Sequence, residues 1–154
     1  MRTLALCSLL LLLPGCSIVR EAANFEPPQM ELTKAATDTL SQGPARDASF
    51  VVVRFEVLAQ NPNAKPVPMQ LVAYSVESAG QTLFTGTRDA QRTIPPFGAM
   101  RFDLPATIPA EFATQPLTLR SAVGYRKPGA LADTLYGLDL VKPVLPVIGT
   151  TNPQ

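Results

Sequence analysis

Histidine is absent from this 154-residue chain. Ser-His-Asp and Cys-His nucleophiles are therefore excluded, and a zinc site of the usual type lacks its ligands. Charge is scarce at 16%, the formal net charge is +1, and no block of like charges occurs. A nucleic-acid surface needs a clustered basic face, so none is expected. No phosphate-cradling glycine loop or dinucleotide fingerprint appears. The longest apolar run, LALCSLLLLL from Leu4 to Leu13, is too short for a bilayer span of ~20 residues. Helix signals are nearly missing. What the chain does have is 46% hydrophobic residues, 16 prolines and a series of short β-type runs. Its length suits one domain with a packed core.

The first residues stand apart. Met1-Arg2-Thr3 supplies a short positive region before the apolar run, which marks a secretion signal. Leu13-Pro14-Gly15-Cys16 follows it and resembles the bacterial lipobox. That resemblance implies cleavage before Cys16 and acylation of its thiol, giving a signal peptide over residues 1–15. The other cysteine, Cys7, leaves with that segment, so the mature domain has no internal disulfide and no reactive thiol. Arg2 is also removed, leaving twelve cations against twelve acids. Residues 16–28, ending in Pro27-Pro28, read as a tether. Its stretch from Ser17 to Pro27 reaches at most ~35–40 Å when extended. Ser17 after the cysteine is similar to the sorting pattern for an outer-membrane lipoprotein facing the periplasm.

Residues 29–154 read as a β domain. MELTKAATDTL is a weak first strand, and SQGPARD a loop. In FVVVRFEVLA, Val51, Val53, Phe55, Val57 and Ala59 share one face while Arg54 and Glu56 take the other, the period of a half-buried strand. Val72, Tyr74 and Val76 alternate with Ala73, Ser75 and Glu77, and Gly80 closes that run. QTLFTG is a short return strand ending at Gly86. AMRFDLPA and LTLRSAVGY repeat the alternation, and LYGLDLVKPVLPVIG closes the chain. The one helix candidate is Pro109 to Thr114, stopped by Pro116. About seven strands at this spacing read as a β-sandwich.

Between two of these strands lies Asn61-Pro62-Asn63, then Pro66 and Pro68. A stiff connection of this length suits a chain that leaves one sheet for the facing one. Asn61 is placed to bond the backbone two residues on, and Pro62 presets a turn. Ala64 to Pro68 is expected to run extended, because Lys65 and Val67 each precede proline.

The ordered set Asn61-Pro62-Asn63, Pro66, Pro68, Tyr74, Ser78-Ala79-Gly80, Gly86, Leu104-Pro105 and Leu145 to Gly149 resembles the water-stress and hypersensitive-response (WHy) domain. That domain is shared with the group 2 late embryogenesis abundant proteins, and the resemblance covers about residues 29 to 150. It implies an all-β, fibronectin type III-like (immunoglobulin-like) sandwich with one short helix. It also implies protection during desiccation, freezing or heat instead of catalysis.

No catalytic residue, metal ligand or cofactor site is assigned. Asp133 and Asp139, flanking one strand, are read as solvated charges. Asn61, Pro62, Asn63, Tyr74, Gly80 and Gly86 are family motif positions. Turn chemistry favours a structural part for the first three over a recognition loop. Tyr74 is read as a core residue with its hydroxyl at the rim. A ligand carrier is disfavoured because so small a core should be filled. Two functions stay open. One is a monomeric, non-enzymatic protective lipoprotein, held to the membrane by Cys16 and touching destabilised client proteins. The other is an envelope interaction module that binds a specific partner through loops or a sheet edge.

Overall fold

The computed structural model describes residues 24–38 and 50–153. Two antiparallel sheets face each other. The first contains β1 (Gln29–Asp38), β2 (Phe50–Gln60) and β6 (Ala99–Pro109), with β2 in the middle. The second contains β3 (Val67–Ser78), β4 (Gln81–Asp89), β7 (Leu117–Tyr125) and β8 (Val144–Thr151), in the order β4-β3-β7-β8. A two-residue β5 (Thr93–Ile94) pairs with the start of β3. The chain is an all-β sandwich, as the alternating runs require.

The alternation in β2 decides which face is inside. Val53, Phe55, Val57 and Ala59 are all fully buried. Phe55 pairs with Leu104 and Val57 with Phe102 across β2 and β6. Val72, Tyr74 and Val76 of β3 meet them from the facing sheet, beside Leu119 and Val123 of β7. Each such side chain contributes roughly 1.5–3 kcal/mol by leaving water. On the outer face, Glu56 sits between Lys34 and Arg101 at 3.8 and 3.6 Å, and Glu77 pairs with Arg120 at 2.9 Å.

Two prolines mark edges. Pro105 lies inside β6 and Pro146 inside β8, and each strand has a sheet neighbour on one side. A missing N–H is tolerated there. The two sheets approach closely where β1 passes β8: a Cβ on Gly149 would stand 2.8 Å from the Leu32 Cβ, so no larger residue fits without displacement.

Five expectations need correction. Residues 109–114 form a single 3-10 turn, Ala110–Phe112, while the α-helix α1 occupies Ala130–Gly137. Its signals were hidden because apolar residues lie all round it and Gly129 (φ 126°) replaces a polar N-cap. LYGLDLVKPVLPVIG is therefore helix end, loop and strand, with β8 starting at Val144. Asp133 and Asp139 consequently flank no strand. Asp133 lies in the first helical turn, where a carboxylate suits the dipole, and pairs with Arg126 at 3.3 Å. Asp139, left-handed at φ 62°, pairs with Lys142 just beyond the helix. Extended backbone begins at Val67, after bends through Ala64 and Lys65. Finally, β4 continues past Gly86 to Asp89, and the residues after it stay beside β3 through the Ala90 N–H to Gln70 C=O bond.

Candidate functional site

The 61–66 connection joins β2 of one sheet to β3 of the other, so it is a crossover. Asn61 is its centre and is 3% exposed. Its Nδ2 donates to the carbonyls of Lys65 at 2.8 Å and Pro95 at 3.0 Å, with Ile94 C=O at 3.4 Å. Its Oδ1 accepts from the Asn63 N–H at 3.0 Å and the Asn63 Nδ2 at 2.9 Å. The Asn61 backbone N–H donates to Gly98 C=O at 2.9 Å. One buried amide thus ties the crossover to the 94–98 loop by donating to carbonyls on both sides. The bond to Lys65 also turns the chain before β3 starts, which is why the extended run is shorter than expected.

Asn63 works outward. Its Oδ1 accepts from the Glu26 N–H at 2.9 Å and its Nδ2 donates to the Glu26 C=O at 2.7 Å. The side chain pairs with a peptide unit as a neighbouring strand would. Beside it, the Phe25 ring stacks on Tyr125 at 6.1 Å and 19°, and Lys127 Nζ stands 5.7 Å from the Phe25 ring centre. Residues 25 and 26, placed within the tether by the sequence, therefore lie against the domain. Cys16 lies outside the described residues.

Tyr74 sits mid-strand in β3, and its hydroxyl crosses to the other sheet, donating to the Pro105 carbonyl at 2.6 Å. It is therefore not at the rim, as the sequence implies, but spans the sandwich. Burial pushes the phenol above its ordinary value, with Arg88 pulling the other way. Gly86 pairs directly with Tyr74 across β3 and β4. Phe84 folds over that glycine: an added Cβ would lie 2.8 Å from its ring, and the two aromatic rings are 5.5 Å apart. Gly80 (φ 80°) and Ala79 (φ 49°) make the tight turn between β3 and β4, and the left-handed backbone explains the glycine.

These residues do not converge on one site. Asn61, Pro62 and Asn63 are at the start of β3, Tyr74 and Gly86 at its middle, and Gly80 past its far end. Among the described residues, no cluster of three or more Cys, Asp or Glu side chains is arranged to hold a metal ion. The arrangement performs positioning: it fastens two sheets, two loops and the incoming chain. Missed by the sequence was the α1 region, which holds a groove of about 200 Å³ lined by Pro128, Leu131, Leu135, Tyr136, Val141 and Pro143. The signal for it was the density of leucine around Asp139.

A family model described as "Late embryogenesis abundant protein" matches residues 56–134. No curated protein matches the chain. Among solved structures, the chain is similar to At2g46140.1, assigned as a late embryogenesis abundant (LEA) protein, at 17% identity and TM-score 0.57, covering 90% of this chain and 78% of that one. AT1g01470 from Arabidopsis thaliana aligns at 12% identity and TM-score 0.53, over 84% and 85% of the two chains. A Bordetella pertussis protein assigned as ApaA aligns at 10% identity and TM-score 0.53, over 84% and 97%. These likenesses at low identity concern the fold. Because the family model spans more than half of the sequence, including Asn61, Tyr74, Gly80 and Gly86, the chain belongs to the late embryogenesis abundant protein family.

Proposed function

We propose that this protein is a non-enzymatic stress-protection domain, carried in a bacterial envelope as a lipoprotein anchored through Cys16. The observation that carries the reading is the family match over residues 56–134. The geometry of the motif supports it: the amides of Asn61 and Asn63 are spent on backbone groups of their own chain, leaving the crossover a fastening and not a recognition loop. Protection then comes from contact between the folded domain and destabilised proteins or surfaces, without turnover or cofactor. Equal numbers of cations and acids after residue 15 let a dense layer form without strong mutual repulsion. Outer-membrane placement facing the periplasm follows from the lipobox-like segment and Ser17.

The test is protection of a freeze-labile enzyme by the mature protein at comparable mass, set against an unrelated β-sandwich of similar size and charge. The expected outcome is better recovery with this protein, rising with its amount. Equal recovery would transfer the argument to the other reading, an envelope module that holds one specific partner. Metabolic acyl labelling tests the anchor separately. Label is expected on the wild type and lost in Cys16→Ala, and equal labelling of both would refute the anchor.

A further inference from the structure

Residues 126–143 form an excursion between β7 and β8. They carry α1, of which no residue is buried. An eight-residue helix is marginal in water by itself. Yet Leu131, Leu138, Leu140 and Val141 crowd this short stretch, with Val144 at the start of β8 beside them, all at 45–67% exposure. Scattered exposed leucines are ordinary, but a cluster on one projecting segment marks a contact surface. Lys127, Lys142 and Arg126 border it. Their charges are balanced in part by Asp139 and Asp133, which pair with Lys142 and Arg126.

The route of the chain indicates what covers this surface. Glu26 is held by Asn63 and Phe25 by Tyr125 and Lys127, so the chain enters the domain at the very end that presents the excursion. Cys16 precedes Asn24 by eight residues, at most about 29 Å of extended chain. An acyl group on Cys16 therefore holds this end close to a bilayer, where a second, weak contact becomes effectively intramolecular. Apolar tips flanked by cations suit the headgroup boundary: leucines enter the acyl edge while lysine and arginine stems reach back to phosphates. Phe50, also exposed, lies at the opposite end of β2 from the entry point.

We propose that the 126–143 excursion is a membrane-docking element, which seats Leu138 and Leu140 in the bilayer interface and fixes the sandwich's orientation on the membrane. The proximity argument rests on the lipid-anchor reading above; the surface itself does not. The chain has no tryptophan, so single reporters are clean. Leu138→Trp, Leu140→Trp and the control Phe50→Trp replace exposed side chains, and circular dichroism checks that each variant folds. Each protein, processed as the cell leaves it, is combined with vesicles of phosphatidylethanolamine and phosphatidylglycerol carrying brominated acyl chains. The expected result is a blue shift and loss of most emission for the tryptophans at 138 and 140, with the one at 50 unchanged. Unquenched emission at 138 and 140, or equal quenching at 50, overturns the proposal. So does a blue shift that grows with protein concentration before vesicles are added, which assigns the surface to a second copy. The mass of the same preparations scores acylation of Cys16. Its absence refutes the anchor, while quenching at 138 and 140 still decides docking.

Discussion

Replacing Asn61 with alanine removes a buried amide and leaves the residues around it in place. Four short bonds disappear: to the Lys65 and Pro95 carbonyls, and from the Asn63 N–H and Nδ2. The Asn63 groups recover water because they lie nearer the surface. The carbonyls that faced Asn61 recover it less well, since the side chain they meet is 3% exposed. The Pro95 carbonyl keeps the Gly98 N–H at 3.1 Å, so at about 1 kcal/mol for each of the two bonds to carbonyls and less for the two Asn63 bonds that water replaces, the loss is about 2–3 kcal/mol. Asn63→Ala breaks a similar number of bonds, but those to Glu26 are exposed. Its loss should be about 0.5–1 kcal/mol. At roughly 3–5 °C per kcal/mol for a domain of this size, Asn61→Ala lowers Tm by about 10 °C and Asn63→Ala by about 3 °C. Urea titration followed by circular dichroism measures both, with an unchanged m-value as the check on two-state unfolding. Equal losses for the two variants, or a larger loss for Asn63→Ala, would refute the assignment of Asn61 as the buried fastening.

Phe55→Ala empties a fully buried position and should cost roughly 3–5 kcal/mol, whereas exposed Arg54→Ala should stay within about 0.5 kcal/mol. The reverse order in the same titration would mean the strand faces are exchanged. Tyr74→Phe deletes the bond from one sheet to the other at Pro105 and should cost about 1 kcal/mol. It also predicts a pH dependence. The folded phenol is raised by burial, so its contribution is fully present below the unfolded value and is lost as pH rises through the folded one. Wild type should therefore lose more stability than Tyr74→Phe over that alkaline range, and parallel curves would show that Tyr74 is not the titrating group.

Much of this fold was readable because β alternation reports burial directly: Val53, Phe55 and Val57 cannot change face without moving every neighbour. The crossover was readable for a different reason, since Asn-Pro-Asn specifies local turn chemistry and the Asn61 to Asn63 bond is local. The Asn61 contacts with Ile94 and Pro95 and the Asn63 contacts with Glu26 were not, because they join positions more than thirty residues apart. Nor was the Tyr74 hydroxyl's partner on the opposite sheet. Helix α1 escaped notice because its leucines are not sorted onto a buried face, so the usual amphipathic period had nothing to report.

The proposed protection is a property of the folded sandwich and not of any one side chain. It is tested most directly by measuring recovery of a freeze-labile enzyme against the folded fraction of protector, across wild type, Asn61→Ala, Asn63→Ala and Phe55→Ala. One line is expected: every variant protects in proportion to the amount that is folded, and Asn63→Ala, nearly as stable as wild type, protects as well. Loss of protection in Asn63→Ala while the domain stays folded would instead make the crossover a binding site.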